Sequence, residues 1–182
     1  MVLGWGAAAL GCLLLPSPVP AAADPLPKPP LLPKPPLLPR PLGGEIILTI
    51  TGAIGNTNGD GGAFFDLALL KTLPMKQLVT ETPWTKGLHT FTGVPLADLM
   101  AWVGARGGTM RADALNDYSV DLSLGDGAKH GGLVAYLFDG QPMLPSDRGP
   151  LWLVYPFSDR PEIQTESVYM RSVWNLYSLT VR

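Results

Sequence analysis

Apolar residues along this chain come in two rhythms. The first is strict alternation or short continuous runs, which predict strands. Residues 45–51 (Glu-Ile-Ile-Leu-Thr-Ile-Thr) are rich in β-branched types, and residues 77–81, 109–114 and 119–124 follow the same habit. Runs 133–138 and 151–155 are apolar throughout and read as buried strands, and 174–181 alternates as a closing strand. The second rhythm is helical. Residues 65–73 carry Leu69, Leu70 and Leu73 on one face, with Asp66 as the N-cap and Pro74 as the stop. Residues 94–103 place Leu96, Leu99, Met100 and Val103 in a stripe behind Pro95, and Gly104 ends it. Residues 166–173 read as a third helix. Between these lie breaks: a Gly-rich loop at 52–62, a Trp-centred loop at 82–87, a polar turn at 115–118 and a polar loop at 158–161. Strands outnumber helices and mostly neighbour one another in sequence, so the class is α+β with a mixed or antiparallel sheet and a few short helices.

The segment 139–156 gathers several of these signals. Asp139-Gly140 turns the chain after the apolar run, because glycine accepts positive φ. Pro142 and Pro145 keep the following residues out of regular pairing. Asp147-Arg148-Gly149-Pro150 then sets a fixed cation at the mouth of the 151–155 strand, where its planar donors suit an anion or a flat hydrogen-bonding ligand. A surface pair with Asp147 is the plainer reading of the same arginine.

The first 44 residues break the pattern and change the picture. Residues 1–23 are apolar and end in Ala21-Ala22-Ala23, which fits a cleaved signal peptide although a basic start is missing. They predict export to the periplasm or outside the cell, in preference to a lipid anchor at Cys12. Residues 24–44 form a proline-rich linker with the repeat Pro-Lys-Pro-Pro-Leu-Leu, which favours extended polyproline II. Residues 45–182 are left as one domain, long enough to bury a core. Of the 13 Lys and Arg and 15 Asp and Glu in the chain, three (Lys28, Lys34, Arg40) and one (Asp24) precede Glu45, leaving 10 and 14 and a net charge of −4. An acidic domain argues against nucleic acid as a partner. Cys12 is the only cysteine, so the domain offers no disulfide, no thiolate ligand and no thiol nucleophile.

Candidate chemistry is thin residue by residue. Asn56, Asn58 and Asp60 match the first half of a calcium loop, but the twelfth position is Leu67 where a bidentate Glu is required. His89 and His130 lack partners at helical spacing and read as satisfied histidines. What remains is a set at strand ends and in loops: Glu81, Trp84, Asn116, Asp117, Tyr118, Arg148 and Tyr155. Flat faces, amide and carboxylate edges and a guanidinium together suit a small heteroaromatic ring such as a pterin.

From Glu45 to Arg182 the chain resembles small bacterial proteins of the oxidoreductase molybdopterin-binding family, the sulfite-oxidase-like fold. The pieces that carry the resemblance are 48–52, 65–74, 80–84, 91–99 (Phe-Thr-Gly-Val-Pro-Leu-Ala-Asp-Leu), 114–118 (Ala-Leu-Asn-Asp-Tyr), 139–156 and 171–182. Catalytic members of that family bind molybdenum through a cysteine thiolate shortly before the Gly-Val-Pro-Leu helix. Here that segment is Thr80-Glu81-Thr82-Pro83-Trp84, and Trp152 stands where an arginine is expected. The resemblance therefore implies a pterin or molybdopterin-like ligand without molybdenum. It implies a non-catalytic, periplasmic pterin-binding protein like those that report to membrane-bound enzymes of cyclic-di-GMP signalling. In that reading Trp84 and Tyr118 stack on the ring, Glu81, Asn116 and Asp117 bond its edges, and Arg148 holds a polar tail. A molybdenum-cofactor-dependent oxidoreductase is the second reading, and a protein-interaction module, with the proline-rich arm recruiting the partner, is the third.

Overall fold

The structure is a computed structural model that describes Met1 and residues 39–182; the leader with Cys12, and the proline repeat up to residue 38, lie outside the described residues. Strand β1 (Ile46–Gly52) obeys its alternation: Leu48 and Ile50 are buried, while Ile47, Thr49 and Thr51 are half-buried. It pairs with antiparallel β2 (Gly62–Asp66), a strand where the pattern predicted a loop and a helix start. Tertiary pairing overrode helix propensity here, since Ala63 and Phe65 fill the same core face as Leu48 and Ile50. The polar run before β2 closes this hairpin. Asn58 donates through Nδ2 to the Phe64 carbonyl and accepts the Phe64 amide at Oδ1, and Asn56 donates to the Trp102 carbonyl at 2.7 Å. Helix α1 (Leu67–Leu70) starts two residues later than its pattern suggested, with Asp66 capping it by accepting the Leu69 amide at 2.7 Å.

Strand β3 (Lys76–Thr80) pairs with β4 (His89–Pro95), a strand the pattern left unassigned up to residue 93, and the helix read over 94–103 begins only at Leu96. Pro95 is the hinge: extended residues precede it, and α2 (Leu96–Trp102) follows. Gly93 explains the tight fit of β4 on its neighbour, because a Cβ there would lie 2.1 Å from the Val134 carbonyl oxygen. After α2 come β5 (Thr109–Ala114), β6 (Ser119–Ser123), α3 (Asp126–His130), β7 (Leu133–Phe138), β8 (Gln141–Pro142) and β9 (Trp152–Val154). A 3-10 turn (Pro161–Ile163), α4 (Glu166–Tyr169) and β10 (Leu176–Val181) complete the domain. Helix α3 was not foreseen, and α4 is shorter than the 166–173 pattern implied. Asp139 and Gly140, at φ 48° and 78°, form the expected tight turn between β7 and β8.

The class is α+β. One sheet has the order β2-β1-β10-β5-β6, with β1 and β10 parallel and the other pairs antiparallel. The second has the order β3-β4-β7-β8, with β9 also on β7. Its β7 and β9 are apolar throughout because both faces are covered. Val134, Tyr136 and Leu153 face the main core, while Leu133, Ala135, Trp152 and Val154 face a second cluster with Phe91 and Met143. Hydrogen bonds from Leu153 to Val173 and from Leu176 to Leu151 tie the end of the second sheet to the start of β10. That junction is where the aromatic residues collect.

Candidate functional site

Loop 81–88 leaves β3 and is fixed before it turns back into β4. Ser158 accepts the Glu81 amide at 2.9 Å and donates its own amide to the Thr80 hydroxyl at 3.0 Å. Thr82 and Thr85 bond through their hydroxyls at 2.9 Å, and the Trp84 amide donates to the Thr82 hydroxyl at 3.2 Å. Such side-chain-to-backbone bonds stiffen a short turn. They hold Trp84 against Trp174, 5.1 Å between ring centroids at 68°, and against Tyr169, 6.3 Å at 80°. Edge-to-face pairs of this kind favour one fixed arrangement.

These rings wall a pocket of about 250 Å³. Asn116 and Tyr118 from the turn between β5 and β6 form one side, and Glu166, Met170 and Ser172, from α4 and the chain after it, form the other. The Tyr118 hydroxyl donates to the Met170 carbonyl at 2.7 Å and so joins the two sides. Asn116 accepts the Tyr118 amide at 3.3 Å through Oδ1. Ser172 is 3% exposed, lines the pocket, and its hydroxyl has no hydrogen-bond partner among the described residues. Buried polar atoms are nearly always partnered, so an orphan hydroxyl in a pocket wall marks a place for a ligand atom or water.

Of the seven candidates from the sequence, the pocket brings together three, Trp84, Asn116 and Tyr118. Glu81 lies beside it, in a more polar depression that shares Tyr169 with the pocket, and its Oε1 accepts the Gly87 amide at 3.0 Å. Asp117, at φ 63°, is the exposed corner of the turn. Arg148 braces the site from behind: Nη2 donates to the Trp84 carbonyl at 3.2 Å, its head sits 5.3 Å from the Trp152 ring centroid, and Asp147 is 3.4 Å away. The pair with Asp147 expected as the plainer reading is present, and the same guanidinium also clamps the tryptophan loop.

Tyr155 is placed elsewhere. It is fully buried, and its hydroxyl donates to Asp126 Oδ2. Burial, with the Asp126 carboxylate next, pushes the Tyr155 phenol well above its ordinary pKa. Asp126, 1% exposed, also accepts from Arg171 at 2.6 Å and from His130 at 3.0 Å. Asp126 and His130 share α3 at i, i+4 spacing, but the rest of the network lay hidden in the sequence because Tyr155 follows β9 and Arg171 follows α4. Arg171 sits between the pocket residues Met170 and Ser172, so the network anchors that wall. His89 is satisfied too, bonding Asp139 at 2.7 Å and stacking on Phe138. Glu166, Tyr169, Met170, Ser172 and Trp174 were missed as site residues. A stretch holding Glu, Tyr, Met, Ser and Trp just before the last strand was the only signal for them.

No group of three or more His, Cys, Asp or Glu among the described residues could hold a metal ion. The pocket walls are mostly aromatic and apolar, and residues 45–182 contain no cysteine to supply a thiolate to a metal.

No family model matches the sequence, and no curated protein matches it. Among solved structures, the chain is similar to the sulfane dehydrogenase SoxCD from Paracoccus pantotrophus, at 16% identity and a TM-score of 0.54. The match covers 74% of this chain and 37% of that one, so this chain spans little more than a third of its neighbour. At this identity the likeness shows the fold alone, a distant molybdopterin-oxidoreductase-like architecture.

Proposed function

We propose that this protein binds a pterin, or a similar flat heteroaromatic ring, in the pocket walled by Trp84, Tyr169 and Trp174, and carries out no redox chemistry there. The observation that supports this most is the convergence of Trp84 from one loop and Asn116 and Tyr118 from a turn some thirty residues later on one aromatic pocket. A ring stacked on an indole gains dispersion and leaves its edges to polar groups, here Asn116, Ser172 and Glu166. A thiolate-bound molybdenum lacks its ligand in residues 45–182, and this separates the reading from that of a sulfite-oxidase-type enzyme. The leader and proline-rich arm in the sequence support export to the periplasm. They also fit a role in reporting ligand occupancy to a membrane-bound enzyme of cyclic-di-GMP signalling.

The test is a titration of the full chain with pterin, followed by quenching of pterin fluorescence, for wild type and Trp84→Ala. Stacking on one aromatic side chain is worth about 1–3 kcal/mol, so the variant binds roughly 5- to 150-fold more weakly. Unchanged affinity in Trp84→Ala removes the pocket from the reading. The second reading, a molybdenum-cofactor oxidoreductase, draws on the activity named for the structural neighbour. Molybdenum near one per chain in the purified protein would establish it instead.

A further inference from the structure

Glu166 is the only charged side chain lining the pocket, and its carboxylate has no hydrogen-bond or ion-pair partner among the described residues. The two arginines nearby are engaged outside the pocket lining, Arg148 with the Trp84 carbonyl and Asp147, Arg171 with Asp126. A second acceptor, the Ser172 hydroxyl, is buried in the wall without a partner among the described residues. On the opposite side Asn116 uses its carbonyl oxygen on the Tyr118 amide, which leaves its amino group as a donor. The pocket therefore has mostly apolar, aromatic walls, with a carboxylate residue and an amide residue exposed at its edge, a buried hydroxyl in its wall and no cation in its lining.

Such a pocket rejects a ligand that brings negative charge into it, because nothing there compensates the charge and Glu166 repels it. It accepts a ligand that presents two parallel N–H donors, the edge of an amidine or a cyclic guanidine, which a carboxylate binds in bidentate fashion. We propose that Glu166 is the specificity-determining residue of this site and selects uncharged or cationic rings with an amino-amidine donor edge over rings that carry an oxo group at the same place. The inference rests on the reading of the pocket as a ring-binding site and names the class of ring.

Pterin and lumazine test it, since they share one bicyclic ring and differ in an amino group replaced by an oxo group. Both are titrated against the full chain at mildly acidic pH, where both are uncharged, for wild type, Glu166→Gln and Trp84→Ala. A charge-assisted bond to the donor edge makes wild type prefer pterin by about 10- to 100-fold, and Glu166→Gln brings the two rings to within a few-fold of each other. Glu166 is exposed, so the variant keeps the wild-type unfolding temperature. If wild type binds both rings equally, or Glu166→Gln keeps the preference, the inference is overturned while ring binding stands. If neither ring binds and Trp84→Ala matches wild type, both readings fall together.

Discussion

Replacing Asp126 by alanine tests how the pocket wall is held. The carboxylate is buried and accepts three hydrogen bonds, from Tyr155, Arg171 and His130. Each partner loses something different. The Tyr155 hydroxyl is enclosed and left unsatisfied, a cost of about 1–3 kcal/mol. The Arg171 side chain is 27% exposed, so its head turns to water and the loss stays near 1 kcal/mol, well short of the cost of a fully buried broken pair. His130 is 12% exposed and loses about 0.5–1 kcal/mol. Relief of the carboxylate's own desolvation offsets part of this, and a net destabilisation of about 3 kcal/mol results. For a domain of this size that lowers the unfolding temperature by roughly 10 °C, read by calorimetry or circular dichroism. A double-mutant cycle with Tyr155→Phe gives a coupling of about 1 kcal/mol or more, because the two removals share one bond. A shift under about 2 °C, or strict additivity in the cycle, would refute the claim that this carboxylate organises the three elements around it.

Two further outcomes follow from the same geometry. The folded-state pKa of Tyr155 lies above its unfolded value of about 10, so the associated stability is complete below pH 10 and is lost as pH rises beyond it; Tyr155→Phe flattens the alkaline limb of a stability-versus-pH curve, and an unchanged limb would contradict the assignment. Ser172→Ala removes a hydroxyl that bonds nothing among the described residues, so urea unfolding shows no loss of stability, within about 0.5 kcal/mol, while pterin affinity falls severalfold; a clear loss of stability would mean the hydroxyl is partnered inside the fold.

Local physics made much of the secondary structure legible. The alternation of Leu48 and Ile50, the stripe of Leu96, Leu99 and Met100 behind Pro95, the Asp66 cap and the Asp139-Gly140 turn each depend on neighbours a few residues away, and all stand in the structure. Propensity failed at β2, and β4 was left without a reading over most of its length. Residues around Phe65 and Phe91 follow their sheet partners, β1 for the one, β3 and β7 for the other, and those contacts lie far off in sequence.

The site divides the same way. The sequence by itself determined that the domain has no thiolate for a metal and that Trp84, Asn116 and Tyr118 sit in loops able to present them. Only the tertiary structure decided which candidates share a pocket. It sent Tyr155 into the core beneath Asp126, turned Arg148 into a clamp on the Trp84 carbonyl, and brought Glu166, Tyr169, Ser172 and Trp174 to the other candidates. The physical reason is that residue type and spacing fix what a side chain can do, whereas burial and partners are set by where the two sheets meet, through pairings such as Trp84 with Trp174 and Tyr118 with Met170 that no local pattern encodes.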